Sequence, residues 1–149
     1  MTEIGVFSDS HGSRRKLTQL MELLTDCKYI VFLGDGLREV EDYTSEKLIT
    51  VAGNCDYFSY ASGRYIKQIE DVLVYITHGD GEGVKRGLSD LARHAKDNSC
   101  ALALYGHTHE ARTDTVNDVM CVNPGALKDG CYARLHIDGN NISVSLLSL

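Results

Sequence analysis

Short apolar runs rich in Val, Ile, Leu and aromatic residues recur at 4–7, 29–33, 48–52, 72–76 and 101–105. Runs of this kind read as strands buried on both faces. Helical periods lie between them. Ser13 can cap a helix in which Leu17, Leu20, Met21 and Leu24 share one face. A short polar helix is predicted over 37–45, and Val84, Leu88, Leu91, Ala92 and Ala95 mark another amphipathic helix. Residues 56–63 read as a loop, and 64–69 with 72–76 as a hairpin turning at Glu70 and Asp71. Beyond position 109 the pattern is purely strand-like. Residues 113–116 and 119–122 flank a tight turn at Asn117-Asp118, and 132–137 and 142–147 alternate around 138–141. The single proline lies in Asn123-Pro124-Gly125, a turn signal. Strand-helix-strand units lead and an antiparallel section closes the chain. This predicts two packed sheets with helices outside, an α/β sandwich, as one domain over 1–149.

Each of the five buried runs ends in a turn of polar residues that can bind a metal. The turns are Ser8-Asp9-Ser10-His11-Gly12, Gly34-Asp35-Gly36, Gly53-Asn54-Cys55-Asp56, Thr77-His78-Gly79-Asp80 and Gly106-His107-Thr108-His109. Ligands of α/β sheets bind beyond the carboxyl ends of the strands, so these side chains are expected at one edge. Residues two apart in an extended turn project to the same side, which predicts both imidazoles of His107 and His109 at one centre. Asp9, His11, Asp35, Asn54, His78, His107 and His109 mix carboxylate, amide and imidazole donors. That mixture suits Mn, Fe, Co, Ni or Zn better than an all-oxygen calcium cage. The set exceeds the needs of one such ion and matches two ions sharing a carboxylate, about 3.5–4 Å apart.

The bulk numbers add limits. The chain has 149 residues, 43% hydrophobic and 24% charged, as in an ordinary soluble domain. A net charge of -6 and a pI near 5.4 argue against an extended nucleic-acid surface. No apolar run is long enough to span a bilayer, and the first residues lack a signal-peptide pattern, so a cytoplasmic protein is expected. Cys27, Cys55, Cys100, Cys121 and Cys131 form no C-x-x-C pair and suit a reducing compartment.

Asp-x-His, Gly-Asp, Gly-Asn-x-Asp, His-Gly and Gly-His-x-His, in this order, resemble the calcineurin-like metallophosphoesterase superfamily. Gly-Asn-Cys-Asp, Asn-Pro-Gly and the short chain are similar to its small bacterial and archaeal phosphodiesterases. The resemblance covers nearly the whole sequence. It implies an α/β (α+β) fold, a four-layer α/β/β/α sandwich of two packed mixed sheets flanked by helices. It also implies that Asp9, His11 and His109 hold one metal, that Asn54, His78 and His107 hold a second, and that Asp35 bridges them. The implied cofactors are two divalent ions, manganese before nickel, cobalt, iron, zinc or magnesium. A bridging hydroxide would attack a small phosphodiester. Asn54 would also touch a substrate oxygen, and Asp56 would sit behind the ligands and orient its neighbours.

Three positions depart from the family pattern. Cys55 stands where many relatives have a histidine that protonates the leaving alkoxide; a thiol is a less natural acid. Asp80 replaces a second histidine in the fourth motif, where its charge would disfavour highly anionic monoesters. Ala126 stands where a serine is frequent. Arg14, Arg15 and Lys16 crowd the first turn of a helix just after Asp9 and His11, a placement the helix dipole disfavours. Steering of an anionic substrate, with Arg14 in contact, is the functional reading of that cluster. Besides the diesterase, the sequence allows a phosphomonoesterase or nucleotidase on the same site. A nuclease fits the acidic surface less well. A further reading is a metal-poor interaction scaffold similar to the related retromer subunit. Edge strands in the closing section would allow a homodimer.

Overall fold

The computed structural model of the chain describes residues 1–43, 45–57 and 61–149. Ten strands form two five-stranded sheets. In the first, β1 (Thr2–Phe7), β2 (Tyr29–Phe32) and β3 (Leu48–Thr50) run parallel. β9 (Cys131–Asp138) pairs antiparallel with β1 and carries β10 (Asn141–Ser148) on its far side. In the second, the order is β4 (Arg64–Ile69), β5 (Val72–Thr77), β6 (Leu102–Leu104), β8 (Val119–Asn123) and β7 (Arg112–Val116). Here β5, β6 and β8 are parallel, while β4 and β7 run antiparallel along the edges.

Alternation along the strands builds three apolar layers. Ile4, Val6, Val31 and Leu33 from the first sheet meet Val74, Ile76, Leu102 and Leu104 from the second, all fully buried. On the outer side of the first sheet, Phe7, Ile30 and Phe32 cover Leu17, Leu20 and Leu24 of helix α1 (Arg14–Leu23) and the residue after it. On the outer side of the second, Tyr75, Ala103 and Tyr105 cover Leu91, Ala92 and Ala95 of α3 (Ser89–Asp97). The result is the expected α/β/β/α sandwich. Gly5 lets α1 approach β1, since a Cβ there would stand 2.6 Å from a Leu24 methyl.

The turns agree with the sequence. Glu70 (φ 52°) turns the β4–β5 hairpin, and Asn117 and Asp118 (φ 49° and 65°) form the primed turn that β7–β8 requires. Both later helices are shorter than expected. Among the described residues, α2 spans only Leu37–Val40, because Asp42, Tyr43 and Ser45 are weak helix formers. Position 44, and positions 58–60 of the loop expected over 56–63, lie outside the described residues. α3 starts at Ser89, because Gly83 (φ 62°) and Gly87 (φ 144°) break the helical backbone ahead of it. Val84 and Leu88 still enter the outer core, from a turn. Ser13 occupies the cap of α1 but makes no capping hydrogen bond through its side chain. The closing section is not wholly antiparallel, since β8 lies parallel to β6.

Candidate metal centre

The five polar turns follow β1, β2 and β3 in one sheet and β5 and β6 in the other. Packing the sheets face to face brings these strand ends to a common edge, where backbone bonds tie the turns together. Asp9 N–H donates to Gly34 O (2.9 Å), His11 N–H to Asp35 O (3.1 Å) and Gly106 N–H to His78 O (2.9 Å).

Two donor clusters result, one of Asp9, His11 and His109 and one of Asp35, His78 and His107. In the first, His11 Nε2 is 3.3 Å from His109 Nε2, and His109 Nε2 is 3.2 Å from Asp9 Oδ1. In the second, His78 Nε2 is 3.2 Å from His107 Nδ1 and 3.3 Å from Asp35 Oδ2. Two ligands bound about 2.1 Å from one ion, at angles between octahedral and tetrahedral, stand about 3.0–3.4 Å apart. The clusters therefore have the spacing and donor chemistry of two metal sites.

Each group is held by partners behind it. Asp9 Oδ2 accepts from Ser8 Oγ (2.5 Å) and from His107 N–H (3.1 Å), leaving Oδ1 toward the histidines. Asp35 Oδ1 accepts the Cys55 N–H (2.8 Å). His78 Nδ1 lies 2.7 Å from Leu33 O; donation to that carbonyl leaves Nε2 with a free lone pair. Asp56 lies behind the candidate donors and braces their loops. Its carboxylate accepts four backbone N–H groups, from Asp35 (2.7 Å), Gly36 (2.9 Å), Leu37 (2.9 Å) and Gly53 (2.8 Å).

The electrostatics follow from this crowding. Burial pushes Asp35 up, but His78 and the Cys55 N–H outweigh it and hold the carboxyl at about 2. Burial likewise opposes charge on His78, while Asp35 and Asp9 beside it raise its pKa overall. His107 is lowered by burial and by the positive charges of His78 and Lys85. Burial and the neighbouring Asp35 push the Cys55 thiol up.

The backbone at the site is strained. Asp9, His11, Asp35, His107 and His109 all have positive φ, between 43° and 70°. This conformation costs an L-residue on the order of 1–2 kcal/mol, although Asp and His adopt it more readily than most. The expectation that an extended turn aims His107 and His109 at one centre is corrected here. Both are left-handed, and the chain sends one ring to each cluster.

Asn54 and Cys55 occupy the exposed turn after β3, where Asn54 Nδ2 donates to Cys55 Sγ at 3.7 Å. Asp80 is exposed just beyond His78, and its charge acts on His107. Arg14 is exposed and paired with Asp42 at 3.0 Å, while Lys16 donates to Lys128 O. The sequence reading missed Asn123 as a support. Its buried Nδ2 donates to Gly106 O (3.2 Å) and Thr108 Oγ1 (2.9 Å), bracing the turn that carries two histidines. The signal lay in Asn-Pro-Gly, which the sequence presents as a turn and a family motif without a role for the Asn123 side chain.

This fold and this pair of donor clusters define a metallophosphoesterase. The domain profile of the calcineurin-like phosphoesterase superfamily matches residues 2–140, and the chain belongs to that superfamily. It is a metal-dependent phosphoester hydrolase. Among known proteins it is similar to phosphodiesterase MJ0936 of Methanocaldococcus jannaschii, at 26% identity over 83% of this chain and 82% of that one. Its fold is shared with a predicted phosphoesterase of Streptococcus pneumoniae, at TM-score 0.83 and 22% identity over 99% of this chain and 89% of that one. Vacuolar protein sorting 29 of Cryptosporidium parvum has the same fold, at TM-score 0.79 and 17% identity over 99% and 98% of the two chains.

Proposed function

We propose that the chain is a dinuclear phosphodiesterase acting on a small phosphodiester. In this reading Asp9, His11 and His109 hold one ion, Asn54, His78 and His107 hold the other, and Asp35 bridges them. The supporting observation is how closely the two clusters adjoin. His11 Nε2 in the first lies 3.9 Å from Asp35 Oδ2 in the second, and His78 Nε2 in the second lies 3.9 Å from Asp9 Oδ1 in the first. A pair of divalent ions, when bound, supplies Lewis acidity toward the phosphoryl group and a water acidic enough to attack it.

The chain's own contribution is positional. The Leu33 carbonyl fixes the ring of His78, Asp56 fixes the loops bearing Asp35 and Gly53, and Asn123 fixes the last turn. The negative charge of Asp80 beside His107 favours a singly charged diester over a doubly charged monoester. MJ0936, named a phosphodiesterase, supports the diester assignment. The likeness to vacuolar protein sorting 29 favours an interaction scaffold as the second reading. The two donor clusters favour the hydrolase.

The test is hydrolysis of bis-p-nitrophenyl phosphate and of p-nitrophenyl phosphate by metal-stripped protein, with Mn, Ni, Co, Zn and Mg added back singly. Metal-dependent turnover, faster on the diester and lost in His78→Ala and Asn54→Ala, is the expected outcome, with manganese the first candidate ion. No turnover of either ester and no tight metal binding would leave the scaffold reading.

A further inference from the structure

A cavity of about 720 Å³ opens on the outer side of the second sheet, against the turn that carries His107 and His109. This volume falls within the range of about 300–1,000 Å³ usual for small-molecule sites. Its apolar lining is Val84, Leu88, Val116 and the ring of Tyr105, an extension of the outer core. Tyr105 is 1% exposed, and its hydroxyl has no hydrogen-bond partner among the described residues. A hydroxyl without a partner, carried by a buried ring at a cavity wall, is a polar anchor offered to whatever enters.

The charges lining this cavity are unequally committed. Arg112 is engaged by Asp114 (2.6 and 3.0 Å) and lies 3.8 Å from Glu110. Lys85 and Arg86 line the same cavity from an exposed turn, and among the described residues neither has an ion-pair partner. Uncommitted cations beside an apolar floor, in a chain of net charge -6, suit a ligand that is both flat and anionic. Thr108, between the two histidines, forms part of the same wall, about 3.8 Å in Cα spacing from each.

We propose that this cavity binds a ring-bearing organic phosphate of nucleotide size, with Lys85 and Arg86 on the phosphate and Tyr105 hydrogen-bonded to the ring substituents. Assigning it to an arm of the substrate rests on the phosphodiesterase reading; the binding itself does not.

The probe is AMP, titrated into the metal-free full chain and followed by amide chemical shifts. Saturable shifts over residues 84–88 and 105–116 are expected, with affinity at least tenfold weaker in Lys85→Ala/Arg86→Ala and several-fold weaker in Tyr105→Phe. Adenosine and inorganic phosphate should each bind more weakly than AMP. In the metal-loaded enzyme, AMP should compete with bis-p-nitrophenyl phosphate, and the double variant should raise its inhibition constant at least tenfold. Absence of saturable shifts, shifts elsewhere, or phosphate binding as tightly as AMP would overturn the site. AMP binding without competition would overturn its assignment to the substrate. Failure of the diesterase reading is seen separately, as no ester hydrolysis by the wild-type chain under any metal.

Discussion

Four backbone N–H groups converge on the carboxylate of Asp56, and two of them belong to Asp35 and Gly53, on loops from different strands. Replacing Asp56 by Asn puts an NH2 group where an oxygen now accepts, so donors would face donors. Asp56→Asn should weaken metal binding about 10–100-fold and destabilise the chain by about 2–4 kcal/mol. Calorimetric metal titration and urea unfolding measure the two effects, and unchanged metal affinity would count against this role. Asp35 carries a second expectation at this scale. Its depressed pKa gives stability that is present above its ordinary value of 3.8 and lost as pH falls through about 2. In the metal-free chain this group should contribute about 2 kcal/mol, lost across that window. Unfolding of Asp35→Asn as a function of pH should lack that limb. His78 has the opposite sign: its raised pKa gives stability that is full below 6.5 and lost as pH rises through its folded value. The six clustered donors were legible in the sequence as candidates because Asp and His at strand ends state their chemistry directly. The left-handed backbone of His107 and His109 was not, since nothing in Gly-His-Thr-His distinguishes an extended turn from one with φ of 70° and 63° at the two histidines.

The turn after β6 shows how an element sets the geometry of a site. Gly106 passes so close to the turn after β1 that a Cβ there would stand 2.1 Å from Ser8 Oγ and 2.8 Å from Asp9 Oδ2. Gly106→Ala should therefore push the turn off Asp9 and lower affinity for the first ion at least tenfold, measured by metal titration. Asn123→Ala, which removes two hydrogen bonds to the same turn, should act in the same direction more weakly. Strands and hairpins were legible because period-two alternation and turn residues agree locally. Helix bounds were less so. Val84 and Leu88 keep the apolar spacing of α3 while Gly83 and Gly87 bend the backbone away from a helix. Burial alone sets the apolar period, and it does not reveal which residues are helical.

For the molecule as a whole, the site exists because two sheets meet. β1, β2 and β3 supply Asp9, His11 and Asp35 with the turn of Asn54, and β5 and β6 supply His78, His107 and His109. Apolar runs identify buried strands without saying which sheet holds each, so this division was beyond the sequence pattern. The layer between the sheets joins the two halves of each cluster. Leu104→Ala, in that layer and fully buried, should destabilise the chain by about 2–5 kcal/mol in urea unfolding. In the proposed centre the two clusters hold a pair of ions close enough to share ligands. Manganese titration of metal-stripped protein, followed by electron paramagnetic resonance, tests it most directly. About two ions per chain with a spin-coupled signal are expected, replaced by an uncoupled six-line signal in His11→Ala. One ion per chain, or two uncoupled ions in the wild type, would contradict it.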